Sequence, residues 1–287
     1  VVLIPLLLLL QHNIHKNNIK GRCIICGIAG FIGKSVNPKF TYNLSKRIFK
    51  LLEYRGVHAA GIYAIDEDNN TYFKKEPIPS SEFVKTDYFN SIKNINMKLC
   101  LLHTRNATAG CGDPHDNTNN HPFISKDNSK ILIHNGVVEK TEYNILKEFF
   151  PTESNCDSEI LLRFLENSQE STVKSFSKLT GLIPKSQFAI SLCEVEKNKI
   201  KLYLYRNHAR PLYFFDLTQT IGQIFFCSTV EIFLHALSYY SKSDQIMEEC
   251  SFYKVSPYKL CEFSLSDNII NKKFYSIKLH KEVSLEY

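Results

Sequence analysis

From Gln187 onward the chain is written as strand after strand. Gln187 to Glu194, Ile200 to Tyr205, Leu212 to Phe215 and Ile224 to Ser228 are short apolar runs separated by polar turns rather than by helices. A helix near Val230 to Tyr239 interrupts, and strands near Tyr258 to Leu265 and Ile269 to Ile277 follow it. Strands joined this directly are those of antiparallel hairpins. A doubly wound parallel sheet would show a repeated strand–helix–strand rhythm, and none is present. The expected class is therefore α+β with antiparallel sheets.

The first half mixes both kinds of element. Cys26 to Ile32 is apolar and Gly-punctuated, which suggests a buried strand. Leu44, Ile48, Leu51 and Leu52 repeat at helical spacing, so an amphipathic helix is expected over Tyr42 to Tyr54, ended by Arg55-Gly56. Ala60 to Ile65 and Thr71 to Lys74 flank Asp66-Glu67-Asp68-Asn69-Asn70, the pattern of a hairpin. Met97 to Thr104 reads as a strand, and Arg105 to His121 as a long polar loop of the kind that is usually functional. Ile131 to His134 reads as a short strand stopping at Asn135-Gly136, a turn dipeptide. Helices are expected at Glu142 to Phe150 and Ser158 to Asn167, the second with Asp157 at its N-cap.

Composition removes several classes. The 287 residues allow one large domain or two small ones, and no repeat or low-complexity linker divides them. Lys and Arg total 35 against 29 Asp and Glu, a net charge of +6 with no dense basic run, so no nucleic-acid partner is expected. With 44% hydrophobic and 22% charged residues, wholesale disorder is excluded. No apolar run reaches the roughly 20 residues of a membrane span. Nine scattered cysteines, an odd number, fit reduced thiols in a cytoplasmic setting better than a disulfide framework. Residues 1–25 open with an apolar run to Leu10 and turn Asn- and Lys-rich. They are expected to be a leader, a propeptide or a frame read from too far upstream, leaving 26–287 as one domain.

Several short patterns occur in order: Cys26-Gly27-Ile28-Ala29-Gly30, Tyr54-Arg55-Gly56-Val57-His58-Ala59-Ala60-Gly61, His103-Thr104-Arg105-Asn106-Ala107-Thr108-Ala109-Gly110, Asn120-His121-Pro122-Phe123, His134-Asn135-Gly136 and Asp157-Ser158-Glu159. Each alone is weak. Together they resemble the class II glutamine amidotransferases, the N-terminal-nucleophile glutaminase family. The resemblance runs from Cys26 to about Glu166 and continues more faintly through Arg210-Pro211-Leu212-Tyr213 and Cys227-Ser228-Thr229.

That resemblance implies a four-layer αββα sandwich of two stacked antiparallel sheets, L-glutamine as substrate, and no cofactor or metal. It makes Cys26 the nucleophile, with the residue's own α-amino group as base. The arrangement is chemically coherent, because an α-amine titrating near 7.7–8 can accept the proton of a thiol whose reference pKa is about 8.5. Asn135 and Gly136 would form the oxyanion hole. Arg105 would clamp the substrate's α-carboxylate in a bidentate pair, and Asp157 would accept from its α-ammonium. Thr108 and Gly110 would line the same loop, and Arg55 would orient the site.

Read singly, these residues have plainer meanings. Arg105 is then a surface ion pair, Asp157 an N-cap, Asn135-Gly136 a hairpin turn and Cys26 a buried thiol. Cys23-Ile24-Ile25-Cys26 is also a C-x-x-C, but it lacks the second pair of a zinc site and the βαβ setting of a redox motif. His103, His121 and His134 are expected to be structural, fixing loops by hydrogen bonds. Departures from the family pattern are Ile25 before the nucleophile, Asn106 where an aromatic is frequent, and Val57-His58 in place of an acidic version. No segment for using the ammonia is recognised. The expected activity is thus a stand-alone glutaminase, or one serving a synthase subunit in trans. The alternatives are a silent glutamine-binding or regulatory module that keeps the residues before Cys26, and an amidase acting on another γ-glutamyl amide.

Overall fold

The computed structural model describes residues 26–107, 112–197, 199–240 and 243–277, and within them the apolar alternation sorts into thirteen strands and eight α-helices. In chain order these are β1 (Gly27–Ile32), α1 (Pro38–Leu52), β2 (Ala59–Asp66), β3 (Thr71–Glu76), α2 (Ser80–Phe83), α3 (Asp87–Ser91), β4 (Met97–Arg105), β5 (Phe123–Ile124) and β6 (Lys130–Val137). There follow α4 (Lys140–Phe149), α5 (Asp157–Asn167), α6 (Thr172–Leu182), β7 (Gln187–Glu196), β8 (Lys199–Arg206), β9 (Tyr213–Leu217) and β10 (Gln223–Cys227). The last are α7 (Val230–Leu237), α8 (Ser243–Glu249), β11 (Ser251–Lys254), β12 (Lys259–Ser266) and β13 (Ile269–Ser276).

The strands form two antiparallel sheets. One has seven strands in the order β11-β9-β10-β1-β4-β2-β3, the other six in the order β13-β12-β8-β7-β6-β5. Strand periodicity builds three apolar layers from these two sheets. Ile28 and Ile32 of β1, Leu99 and Leu101 of β4, and Ile131 and Ile133 of β6 fill the space between the sheets. Their neighbours Ala29, Phe31, Cys100 and Leu102 face α1, α2, α3 and α7. Leu132, Ile190, Leu192 and Tyr205 face α4, α5 and α6 on the other side. The result is a four-layer αββα sandwich, as the resemblance implies. Among the described residues no helix is long and apolar enough to cross a membrane.

Helix α1 begins four residues before the expected start. Asn37 Oδ1 caps it by accepting from the Phe40 amide at 3.1 Å, and Pro38 sits in the first turn, where its missing N–H costs nothing. The hairpin around Asp66–Asn70 forms between β2 and β3 as its composition suggests. Two expectations fail. Strand β6 does not stop at Asn135-Gly136 but runs through it to Val137, paired with β7. Neither residue has a positive φ, so the dipeptide is extended and not a turn. Asp157 is the first residue of α5 and not its cap; Cys156 holds the cap position and makes no side-chain cap bond. Helix α6 was not legible, because Ser, Thr and Gly lower its propensity; burial of Phe176 and Leu179 holds it.

Candidate active site

The same alternation that builds the inter-sheet layer carries polar side chains to its end. On β4 the inward series Leu99, Leu101 continues to His103 and Arg105, and on β6 the series Ile131, Ile133 continues to Asn135. Cys26 lies one residue before β1, in phase with Ile28 and Ile32. Antiparallel pairing sets Gly27 opposite Thr104, so the head of β1 meets the tail of β4. Cys26, Arg105 and Asn135 therefore converge where apolar filling gives out.

Cys26 is held through its main chain. Arg55 Nε donates to the Cys26 carbonyl at 3.1 Å. The surrounding donors and acceptors orient the Asn135 amide so that Nδ2 also donates to that carbonyl at 3.0 Å, while Oδ1 accepts from Arg55 Nη2 at 3.3 Å. Asn135 is wholly buried. The Asn106 amide donates to Cys26 Sγ at 3.4 Å, and the thiol donates back to the Asn106 carbonyl at 3.7 Å. Burial pushes the Cys26 thiol up, and the Asn106 hydrogen bond and the charge of Arg105 oppose that rise. Ser228 anchors the start of β1 from 200 residues away: its Oγ accepts from the Ile28 amide at 2.9 Å and donates to the Ile28 carbonyl at 3.1 Å.

Arg55 reaches the carbonyl because the chain leaves α1 in a tight turn and presses Gly56 against β4. A Cβ at Gly56 would lie 2.4 Å from the Arg105 carbonyl carbon. The His58 amide then donates to the Arg105 carbonyl at 3.0 Å, and His58 Nδ1 accepts from the Ala107 amide at 2.9 Å. Arg105 is 2% exposed, so it is no surface ion pair. Its Nη1 donates to Asn120 Oδ1 and its Nη2 to the Gly112 carbonyl, both at 2.9 Å. Asn119 and Asn120 organise the loop beyond it. Asn119 Oδ1 accepts from the Asn155 amide at 2.8 Å, and Asn120 Nδ2 donates to the Pro114 carbonyl at 2.7 Å.

Asp157 ties the end of β6 to α5: its Oδ2 accepts from the Val138 amide at 2.7 Å. The carboxylate is close enough to Cys26 to add to the rise of its thiol. Behind it, Glu159 accepts from the Ser154 amide at 2.7 Å and pairs with Arg163 at 2.8 Å, which fixes the first turn of α5. Thr108 and Gly110 lie outside the described residues, as does Cys23 of the C-x-x-C. All seven described cysteines are free thiols.

Three buried histidines back the site. His103 Nε2 donates to the His134 carbonyl at 3.0 Å, and His134 Nδ1 lies 2.8 Å from Ser158 Oγ. His121 stacks on His103 at 3.8 Å, and among the described residues neither of its ring nitrogens has a hydrogen-bond partner, so packing and not hydrogen bonding fixes it there. Burial holds all three in the neutral form, with His103 pushed down to about 3. Sequence reasoning placed Asn106 and Ser228 within or beside the motifs but missed what they do, Asn106 through its main chain and Ser228 through a hydroxyl 200 residues from its partner. Asn119 is legible only in hindsight, as the residue before the Asn120-His121-Pro122-Phe123 pattern.

The cluster thus combines a thiol, a carboxamide, two guanidinium groups and a carboxylate, which suits acyl transfer from an amino-acid amide. No protein-family model matches the chain. It is 31% identical over 191 residues to the glutamine–fructose-6-phosphate aminotransferase (isomerizing) of Staphylococcus aureus, a match covering 64% of this chain and 29% of that protein. The glutamine phosphoribosylpyrophosphate amidotransferase of B. subtilis, solved with ADP and GMP, superposes with a TM-score of 0.58 at 20% identity, over 88% of this chain and 50% of that one. A glutamine aminotransferase class-II domain protein from Silicibacter pomeroyi superposes with a TM-score of 0.53 at 12% identity, over 88% of this chain and all of that one. The chain spans under a third of the aminotransferase it matches.

Proposed function

This chain is related to the class II glutamine amidotransferases in sequence and in fold, and on that premise we propose that it releases ammonia from the side-chain amide of L-glutamine with Cys26 as nucleophile. Residues 1–25 are absent from the active form in this proposal, so that Cys26 supplies its own α-amine. The neutral amine takes the thiol proton and the thiolate attacks Cδ of glutamine. Asn135 Nδ2 and the Gly136 N–H receive the oxyanion. Collapse expels ammonia with the proton from the ammonium and leaves a γ-glutamyl thioester, which water hydrolyses to glutamate. Arg105 holds the substrate's α-carboxylate and Asp157 its α-ammonium, with Thr108 and Gly110 lining the same pocket.

One observation carries the reading: the Cys26 carbonyl is gripped by both Arg55 and Asn135, so the thiol and the proposed oxyanion donor are fixed to each other. The strand pairing supports Gly136 as the second donor. Phe188, opposite Gly136, spends its N–H and C=O on Asn207, so the Gly136 N–H turns away from β7. It faces the edge of β6 that β5, paired only with Ile131 and Leu132, leaves uncovered. Scattered free thiols support a cytoplasmic setting. The ammonia goes to an acceptor on a separate subunit, or into solution.

Cys26→Ala is expected to abolish glutamate release from glutamine, and undiminished activity would falsify the proposal. A second reading, a silent glutamine-binding module, is favoured by the 25 residues that precede Cys26 in the sequence. Intact mass of the protein from its native host decides: a chain still carrying Ile25 supports the silent reading, and a Cys26 terminus removes it. A panel of γ-glutamyl amides tests the remaining alternative, which a strong preference for glutamine eliminates.

A further inference from the structure

Lys75 belongs to none of the motifs. It stands on the edge strand β3, opposite Gly61 of β2, and is only half-buried as a residue. Its Nζ nevertheless turns inward, donates to the Asn120 carbonyl at 2.7 Å and lies 5.2 Å from the centre of the Phe123 ring. Among the described residues no carboxylate pairs with it. Partial burial lowers its pKa, the negative charges of Glu159 and Asp116 oppose that fall from a distance, and the charge of Arg105 adds to it. A lysine placed so is costly as mere filler, since an apolar side chain would cover Phe123 equally well.

Its partner explains the placement. Asn120 is 1% exposed, and its side chain is fully committed: Oδ1 accepts from Arg105, and Nδ2 donates to the Pro114 carbonyl and to Asn117 Oδ1. Its main-chain carbonyl is taken by Lys75. Lys75 therefore pins the residue that pins the guanidinium, and it brings a second positive charge to the same corner.

We propose that Lys75 is a positioning residue for Arg105, acting through Asn120, and that it raises affinity for ligands carrying an α-carboxylate. The inference rests on the glutaminase reading above. A positioning role touches substrate binding more than chemistry, so Lys75→Met is expected to raise KM for glutamine about tenfold with kcat within about twofold of wild type. Lys75→Arg, which keeps the charge and the donors, is expected to restore KM. Iodoacetamide, which has no α-carboxylate, should alkylate Cys26 at an unchanged rate, followed by mass spectrometry of the Cys26 peptide. Thermal melting of both variants identifies any that fails to fold. An unchanged KM in folded Lys75→Met overturns the inference alone. So does a fall in kcat and alkylation rate together with the change in KM, which marks general disruption of the site. Should Lys75→Met not fold, Lys75→Arg carries the test, and a KM raised as far as tenfold in that variant overturns the inference. A wild-type protein that releases no glutamate overturns the glutaminase reading and this inference with it.

Discussion

At the residue scale, the proposed mechanism gives Asn135 two tasks that a single amide can perform together. One hydrogen of Nδ2 goes to the Cys26 carbonyl, and in the proposed mechanism the second would serve a developing oxyanion. Asn135→Ala removes both, and kcat for glutamate release is expected to fall about 10²–10³-fold in steady-state kinetics. A loss below tenfold would show that the carboxamide only braces Cys26. Cys26, Arg55, Arg105, Asn135 and Asp157 were all legible as members of an ordered set of motifs, and the fold brings them to one end of one layer. Their local roles were not legible. Asp157 looked like a cap, yet it accepts from Val138, because the chain returning from α4 sets its carboxylate against β6. Arg105 looked like a surface cation, yet it is enclosed by a loop in which the Asn120 side chain and the Gly112 carbonyl replace solvent as its partners. Such partners are chosen in three dimensions and leave no trace in spacing.

At the scale of the element, β6 shows why a dipeptide rule can mislead. Asn-Gly is a turn signal because both residues tolerate positive φ. The chain uses that tolerance elsewhere: Asp267 and Asn268, between β12 and β13, have φ of 49° and 62°. In β6 glycine is needed for closeness and not for conformation. A Cβ at Gly136 would lie 1.8 Å from the Gln187 carbonyl oxygen and 2.5 Å from His134 Nε2. Gly136→Ala must therefore push β7 or the His134 ring aside. The expected cost is about 1–3 kcal/mol, read as a lowered Tm, with kcat reduced as Asn135 shifts. A variant with wild-type Tm and kcat would contradict the close approach of the two strands.

At the scale of the whole molecule, the buried histidines couple stability to pH. His103 protonates near 6.5 when unfolded but only near 3 when folded, and His121 and His134 are lowered as well. Between these limits the unfolded chain binds more protons, so the histidines' contribution to stability is full above about pH 6.5 and is lost as the pH drops toward 3. Each histidine contributes a slope of up to about 1.4 kcal/mol per pH unit. Denaturant unfolding across that range should show the decline, and His103→Gln should flatten it. The sequence by itself determined the class of the fold, because alternation with period two or 3.6 is a local property that dictates which side of each element must be buried. It singled out the candidate site residues too, through short motifs whose order does not depend on how the chain is threaded. Only the tertiary structure decided which strands are neighbours, that residue 228 anchors residue 28, that Asn135-Gly136 is strand, and that Lys75 reaches Asn120. Many pairings satisfy the same alternation, and packing complementarity between distant segments selects among them.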